Sequence, residues 1–91
     1  VLKIGDVILL ETKDKNGERL KCRLVESKEN QLYIDYPINT DTGRLSYLML
    51  GTELFASFIN KEQHAFSFQT VVTGRIKETF PMLSITYPGD H

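Results

Sequence analysis

Hydrophobic and polar residues alternate with a period of two along most of this chain, and that period belongs to strands, whose side chains point to opposite faces in turn. The clearest case is Gln31 to Asn39, where Leu32 and Ile34 share one face and Tyr33 and Asp35 the other. Pro37 has no ladder donor and biases Tyr36 toward extended geometry, so a central strand should finish near Asp35 or Tyr36. From Glu18 to Ser27, Leu20, Cys22 and Leu24 alternate inward against Arg19, Lys21 and Arg23. This predicts a half-buried strand with a basic outer stripe. Asp6 to Thr12 is different. Val7, Ile8, Leu9 and Leu10 run without a break, too short and too β-branched at the start for a helix, which predicts a strand buried on both faces.

Turn formers punctuate these runs. Asn16-Gly17 can supply positive φ at both central positions of a type I′ turn and predicts that the first two strands pair as a hairpin. Ser27 to Asn30 turns the second strand into the third, giving a three-strand meander, and Asn39 to Gly43 forms a loop of residues that compete for their own backbone. Leu45 to Leu50 is a short apolar segment ended by Gly51. Thr52 to Ile59, with Leu54, Ala56 and Phe58 on one face, and Ala65 to Thr73, with Phe66, Phe68, Thr70 and Val72 on one face, read as a long hairpin across polar Asn60 to His64. Gly74 marks a bulge or bend. Met82 to Tyr87 is the last strand, alternating Leu83, Ile85 and Tyr87 before Pro88-Gly89. Six or seven short strands without an amphipathic helix predict an all-β fold, a small antiparallel β-barrel of split-barrel type, because closure removes exposed edges.

The 91 residues make a single domain. Eleven basic and twelve acidic residues argue against a nucleic-acid binder working through a broad basic field. The longest apolar runs are four residues, far short of the ~20 that span a bilayer, so neither a membrane span nor a signal peptide is visible and the chain reads as cytoplasmic. A lone cysteine, Cys22, fits a reducing compartment and shares its strand face with Leu20 and Leu24, which makes it core. His64 in a hairpin tip and His91 at the end read as solvated, and no zinc or calcium ligand spacing occurs. Neither a serine-hydrolase elbow nor a glycine-rich phosphate loop is present. Arg19 and Arg23 match an Arg-x-x-x-Arg spacing, but positions four apart on a strand lie about 13 Å from end to end, and a solvated basic stripe is the plainer reading. Tyr33 reads as an exposed aromatic, while Tyr36, Tyr47 and Phe55 belong to core or interface.

Four pieces carry a resemblance in order: Leu32-Tyr33-Ile34-Asp35-Tyr36-Pro37-Ile38-Asn39, Gly51-Thr52-Glu53-Leu54, Thr73-Gly74-Arg75-Ile76-Lys77 and Leu83-Ser84-Ile85-Thr86-Tyr87-Pro88-Gly89. Over nearly its whole length the chain resembles the N-terminal domain of YcgR-like flagellar brake proteins of Bacillus-type bacteria. The resemblance implies a non-catalytic β-barrel that precedes a PilZ domain, the receptor module for cyclic di-GMP. In that family the nucleotide is held by an Arg-x-x-x-Arg linker and an Asp-x-Ser-x-x-Gly motif, neither of which occurs here at the matching place, so no cofactor is expected on these residues. Implied partners are the PilZ domain of the same protein and a flagellar motor or stator protein. Asp35, Tyr36, Pro37 and Asn39 with Tyr87, Pro88, Gly89 and Asp90 are expected to lie near the PilZ domain, because the exit must lead there and Pro37 exposes a strand end. Two other readings stay open. One is an FMN-binding split-barrel oxidoreductase, and the other a barrel for single-stranded nucleic acid.

Overall fold

Strands that each bury one face are satisfied together when the sheet they form rolls up on itself. The computed structural model describes residues 2–14, 17–59 and 62–88. Among the described residues there are seven strands and no helix: β1 (Val7–Thr12), β2 (Arg19–Lys28), β3 (Gln31–Asp35), β4 (Ile38–Asn39), β5 (Glu53–Ile59), β6 (Ala65–Lys77) and β7 (Pro81–Thr86). The order β1-β5-β6-β7-β3-β2 closes through the β1–β2 pairing into a six-stranded antiparallel barrel, and β4 is an extra strand on the edge of β2.

Two long strands make closure possible by changing partners. The first half of β2 pairs β1, from Glu11↔Arg19 to Val7↔Arg23, and the second half pairs β3, from Leu24↔Ile34 to Lys28↔Gln31, with a bulge between Leu24 and Glu26. Likewise β6 pairs β5 up to Glu53↔Val71 and then β7 from Val72↔Ile85, with a bulge between Val72 and Gly74. A bulge bends its strand and sharpens the local twist, which is what turning a corner requires. The bend expected at Gly74 is therefore found. A Cβ there would lie 2.9 Å from Ser84 Oγ, so any other residue would have to displace that hydroxyl.

The barrel is filled by Ile8, Leu10, Leu20, Cys22, Leu24, Leu32, Ile34, Leu54, Ala56, Val72, Leu83 and Ile85, with Leu48 closing it from a loop. The hairpin expected at Asn16-Gly17 joins β1 and β2; Gly17 takes φ +54°, and Asn16 lies outside the described residues. The β5–β6 hairpin is present too, and Asn60 and Lys61 lie outside the described residues.

Two burial assignments trade places. β1 is not buried on both faces: Leu9 is 48% exposed while Ile8 and Leu10 are buried, because the partners β2 and β5 leave its outer side open. The doubly buried strand is β7, where Met82, Leu83, Ser84 and Ile85 are all buried. Its outer side is flanked by Tyr33 and Asp35 on β3 and by Gly74 and Ile76 on β6, whose ladders sandwich it along its length. Leu45 to Leu50 forms no named strand. It contributes one bridge, Ile38↔Leu45, and crosses to β5 as an irregular loop.

Candidate functional site

The residues expected at a domain interface fall into two groups. The first forms where β3 gives way to β4. Asp35 Oδ1 accepts the backbone N–H of Arg23 at 2.8 Å, so a side chain takes up a donor of β2 in the gap between its β3 and β4 ladders. Tyr36 packs against the core and meets Tyr47 edge-on at 5.8 Å. Pro37 does not expose a strand end. It is fully buried and its carbonyl accepts the Ser46 N–H at 2.8 Å, because the chain jogs inward there and resumes pairing as β4 along Leu20 and Lys21. Asn39 shapes the next turn, its Oδ1 accepting the N–H groups of Asp41 (2.8 Å) and Thr42 (3.0 Å). Asp35, Tyr36 and Asn39, with Lys21 and Arg23, line an open cleft of about 540 Å³.

The second group sits at the exit from β7. The Tyr87 N–H donates to the Asn30 carbonyl at 2.8 Å, and its ring meets Phe68 edge-on at 5.2 Å. Pro88 follows, and Gly89 and Asp90 lie outside the described residues, as does His91. The two groups are not brought together. β3 and β7 are antiparallel with Gln31↔Thr86 at one end and Asp35↔Met82 at the other, so Tyr87 and Asp35 lie at opposite ends of that ladder. Five steps along a strand separate them, about 17 Å.

Other candidate chemistry is placed as follows. Cys22 is buried and its Sγ donates to the Ile8 carbonyl at 3.5 Å; burial, and secondarily the Asp35 carboxylate, push its thiol well above the ordinary range. It is a core residue and a poor nucleophile at neutral pH. Arg19, Lys21 and Arg23 all stay exposed on the outer side of β2, and the Arg23 Nη1 donates to the Gly5 carbonyl at 3.0 Å. His64 lies on the surface with its Nδ1 3.8 Å from Glu62. Among the described residues no cluster of three His, Cys, Asp or Glu side chains could hold a metal ion, and no helix is long and apolar enough to cross a membrane.

What the alternation pattern did not reveal is apolar surface. The loop before β5 exposes Tyr47, Met49 and Leu50 by 61–71%. Its backbone is nonetheless pinned: the Arg75 Nη2 donates to the Leu48 carbonyl at 3.3 Å, Thr52 Oγ1 to the Met49 carbonyl at 2.6 Å, and the Gly51 N–H to the Val72 carbonyl at 2.8 Å. Leu9 on β1 and Phe55 and Ile59 on β5 are exposed as well. Phe55, left between core and interface by its sequence, is on the surface with the Lys13 ammonium 5.2 Å from its ring centre.

Three comparisons bear on this geometry. The uncharacterized protein YpfA of Bacillus subtilis (strain 168) is 28% identical over 89 residues, covering 97% of this chain and 41% of that protein. The solved structure of the Bacillus subtilis inhibitor of motility (MotI/DgrA) superposes with a TM-score of 0.89 at 27% identity, covering 99% of this chain and 44% of that one. The chain thus spans less than half the length of the relatives it matches. The family PilZNR, described as flagellar protein YcgR, matches residues 3–88, which is nearly the whole barrel. By that match the chain belongs to the PilZNR family of the flagellar protein YcgR.

Proposed function

We propose that this barrel is a non-catalytic regulatory and docking domain of a cytoplasmic protein that restrains flagellar motility in response to cyclic di-GMP. The observation that carries the reading is the family match over residues 3–88, joined to the TM-score of 0.89 with an inhibitor of motility. In this reading the nucleotide is held mainly by a linker and a PilZ domain that follow these 91 residues. A charged, planar ligand bridging linker and domain fixes their relative orientation, and so selects which surface faces a motor or stator protein.

Within that scheme the barrel positions and contacts and performs no reaction. The face we assign toward the PilZ domain is centred on Tyr87 and Pro88, since β7 leads the chain out there. Asp35, Tyr36 and Asn39, with Pro37 buried beneath them, join the same interface only if the following domain spans the length of β3.

Calorimetric titration of cyclic di-GMP into the full-length protein and into this domain alone tests the reading. Binding by the full-length protein with no heat from the isolated domain is the expected pair of results. Micromolar affinity of the domain alone would move the nucleotide site onto the barrel, and no binding by the full-length protein would end the assignment. Expression of the full-length protein in a motile strain should shrink the swimming halo.

A further inference from the structure

We propose that the outer face of the β4-β2-β1-β5 sheet is the docking surface for a separate protein whose contact segment carries an apolar stripe flanked by carboxylates. This rests on the motility-restraining reading above and names the surface and the chemistry of the partner.

The pairing registers place Ile38, Lys21, Leu9, Ser57 and Ser67 in one row across five strands. Alternation sends a whole row to the same side of the sheet. Ile8, Cys22 and Ala56, one step along their strands, are buried, so this row faces out. Phe55 and Ile59 flank Ser57 on β5 at 46% and 65% exposure, and Leu9 stands beside it on β1. The small serine between large apolar neighbours leaves open depressions on either side of Leu9, about 280 Å³ toward Phe55 and about 640 Å³ toward Ile59. An apolar ridge with adjoining hollows is the form in which a partner's side chains are received.

Charge distinguishes the partner. Arg19, Lys21 and Arg23 border this apolar ground along β2, all three exposed, and among the described residues none of them makes an ion pair. Glu11 lies opposite Arg19 across the β1–β2 ladder without pairing with it. A chain of formal charge −1 that keeps a row of three cations without ion pairs beside exposed Leu9, Arg23 resting on the Gly5 carbonyl, matches a partner with acid beside apolar residues. The domain that follows is a poor occupant. In the ring β1-β5-β6-β7-β3-β2, β7 lies diametrically across from β1, so a unit leaving β7 starts on the far side of the barrel.

The test uses the full-length protein produced in a motile strain of its own bacterium lacking the native gene, with halo diameter against protein level as readout. Lys21→Glu and Phe55→Asp are both at exposed positions, so melting temperature and cyclic di-GMP affinity should match the parent. Each is expected to raise the level needed for half-maximal restraint by about tenfold. Variants that restrain swimming as the parent does would overturn the proposal. So would loss of restraint on Met49→Ser in place of the sheet variants, which would assign docking to the loop. Loss of nucleotide affinity in the sheet variants would show that the following domain covers the face, and a change in sedimentation would show that a second copy does; either replaces this partner. If the parent itself leaves swimming unrestrained, the functional reading fails, and this inference with it.

Discussion

The two halves of the barrel wall face water differently. On the half built from β1, β4, β5 and the first parts of β2 and β6, the inner side is closed while the outer side shows Leu9, Ile38, Phe55 and Ile59. On the half built from β3, β7 and the second parts of β2 and β6, hydroxyls tie the strands together. Thr73 Oγ1 lies 2.8 Å from both Gln31 Oε1 and Ser84 Oγ, and just before β6 changes partner Thr70 Oγ1 donates to the Thr86 carbonyl at 2.7 Å. The second half covers the outer side of β7 from within the domain, whereas the first half leaves apolar area open. The difference separates residues that hold the fold from residues free to serve recognition.

Substitutions of similar size on the two halves should therefore differ most. Ile85 on β7 is fully buried, and Ile85→Ala is expected to cost about 2–5 kcal/mol through lost burial and the cavity left behind. Against a total stability of roughly 5–14 kcal/mol for a chain of this size, that removes a large share. Leu9→Ala on β1 should stay within about 0.5 kcal/mol, since the side chain is already half in water. Urea denaturation of both variants checks the contrast. Equal losses would mean that Leu9 is not a surface residue.

A second experiment probes the seam between β6 and β7. Gly74→Ala drives a methyl toward Ser84 Oγ, which is held by Thr73 in a buried position, and about 1–3 kcal/mol of destabilisation is expected. In a Ser84→Ala background the same change should cost distinctly less, because the atom in the way is gone. An additive double-mutant cycle would place the role of Gly74 in its backbone and not in this contact.

Those two halves were unequally visible in the sequence. Alternation of Leu20, Cys22 and Leu24 against Arg19, Lys21 and Arg23 fixed the inner and outer sides of β2, and Gly74 announced its bulge, since both are local signals. Which strand is buried twice was not local. Val7 to Leu10 and Met82 to Tyr87 differ in pattern, yet covering an outer side depends on what neighbouring strands carry, and β7 is flanked by Tyr33 from a distant part of the chain as well as by Ile76 from the strand before it. Tyr47, Met49 and Leu50 were opaque for a related reason: an apolar residue awaiting a partner looks like one awaiting a core. The separation of Asp35 from Tyr87 follows only from the β3–β7 register, which joins segments some fifty residues apart, as the pair Gln31↔Thr86 shows.

Cys22 lies on the first half but faces inward, and pH can test that. Its thiol is held above the ordinary range in the folded protein, by burial first and Asp35 second, while the unfolded chain releases the proton near pH 8.5. Below that pH both states keep the proton and the contribution is fully present; above it only the unfolded state loses the proton, so stability falls by about 1.4 kcal/mol per pH unit. Between pH 7.5 and 10 the native protein should lose about 2 kcal/mol more than Cys22→Ala. Parallel losses in the two proteins would put the thiol in contact with water.

The smallest effect compares the two hairpins that open the halves. Gly17, leading from β1 to β2, takes φ +54° with no atom within 4 Å of a would-be Cβ, so Gly17→Ala meets only the backbone penalty and should cost about 1 kcal/mol. Glu29, leading from β2 to β3, takes φ 50° with a side chain that disfavours it by roughly 1–2 kcal/mol. Glycine there relieves the penalty but gives back about 0.5–1 kcal/mol in lost unfolded-state freedom, so Glu29→Gly should gain about 0.5 kcal/mol. The two substitutions thus move stability in opposite directions from nearly the same φ. Denaturation midpoints resolve the pair: if Glu29→Gly destabilises, the glutamate is held by contacts worth more than its backbone strain, and the more closely stitched half then extends around this turn.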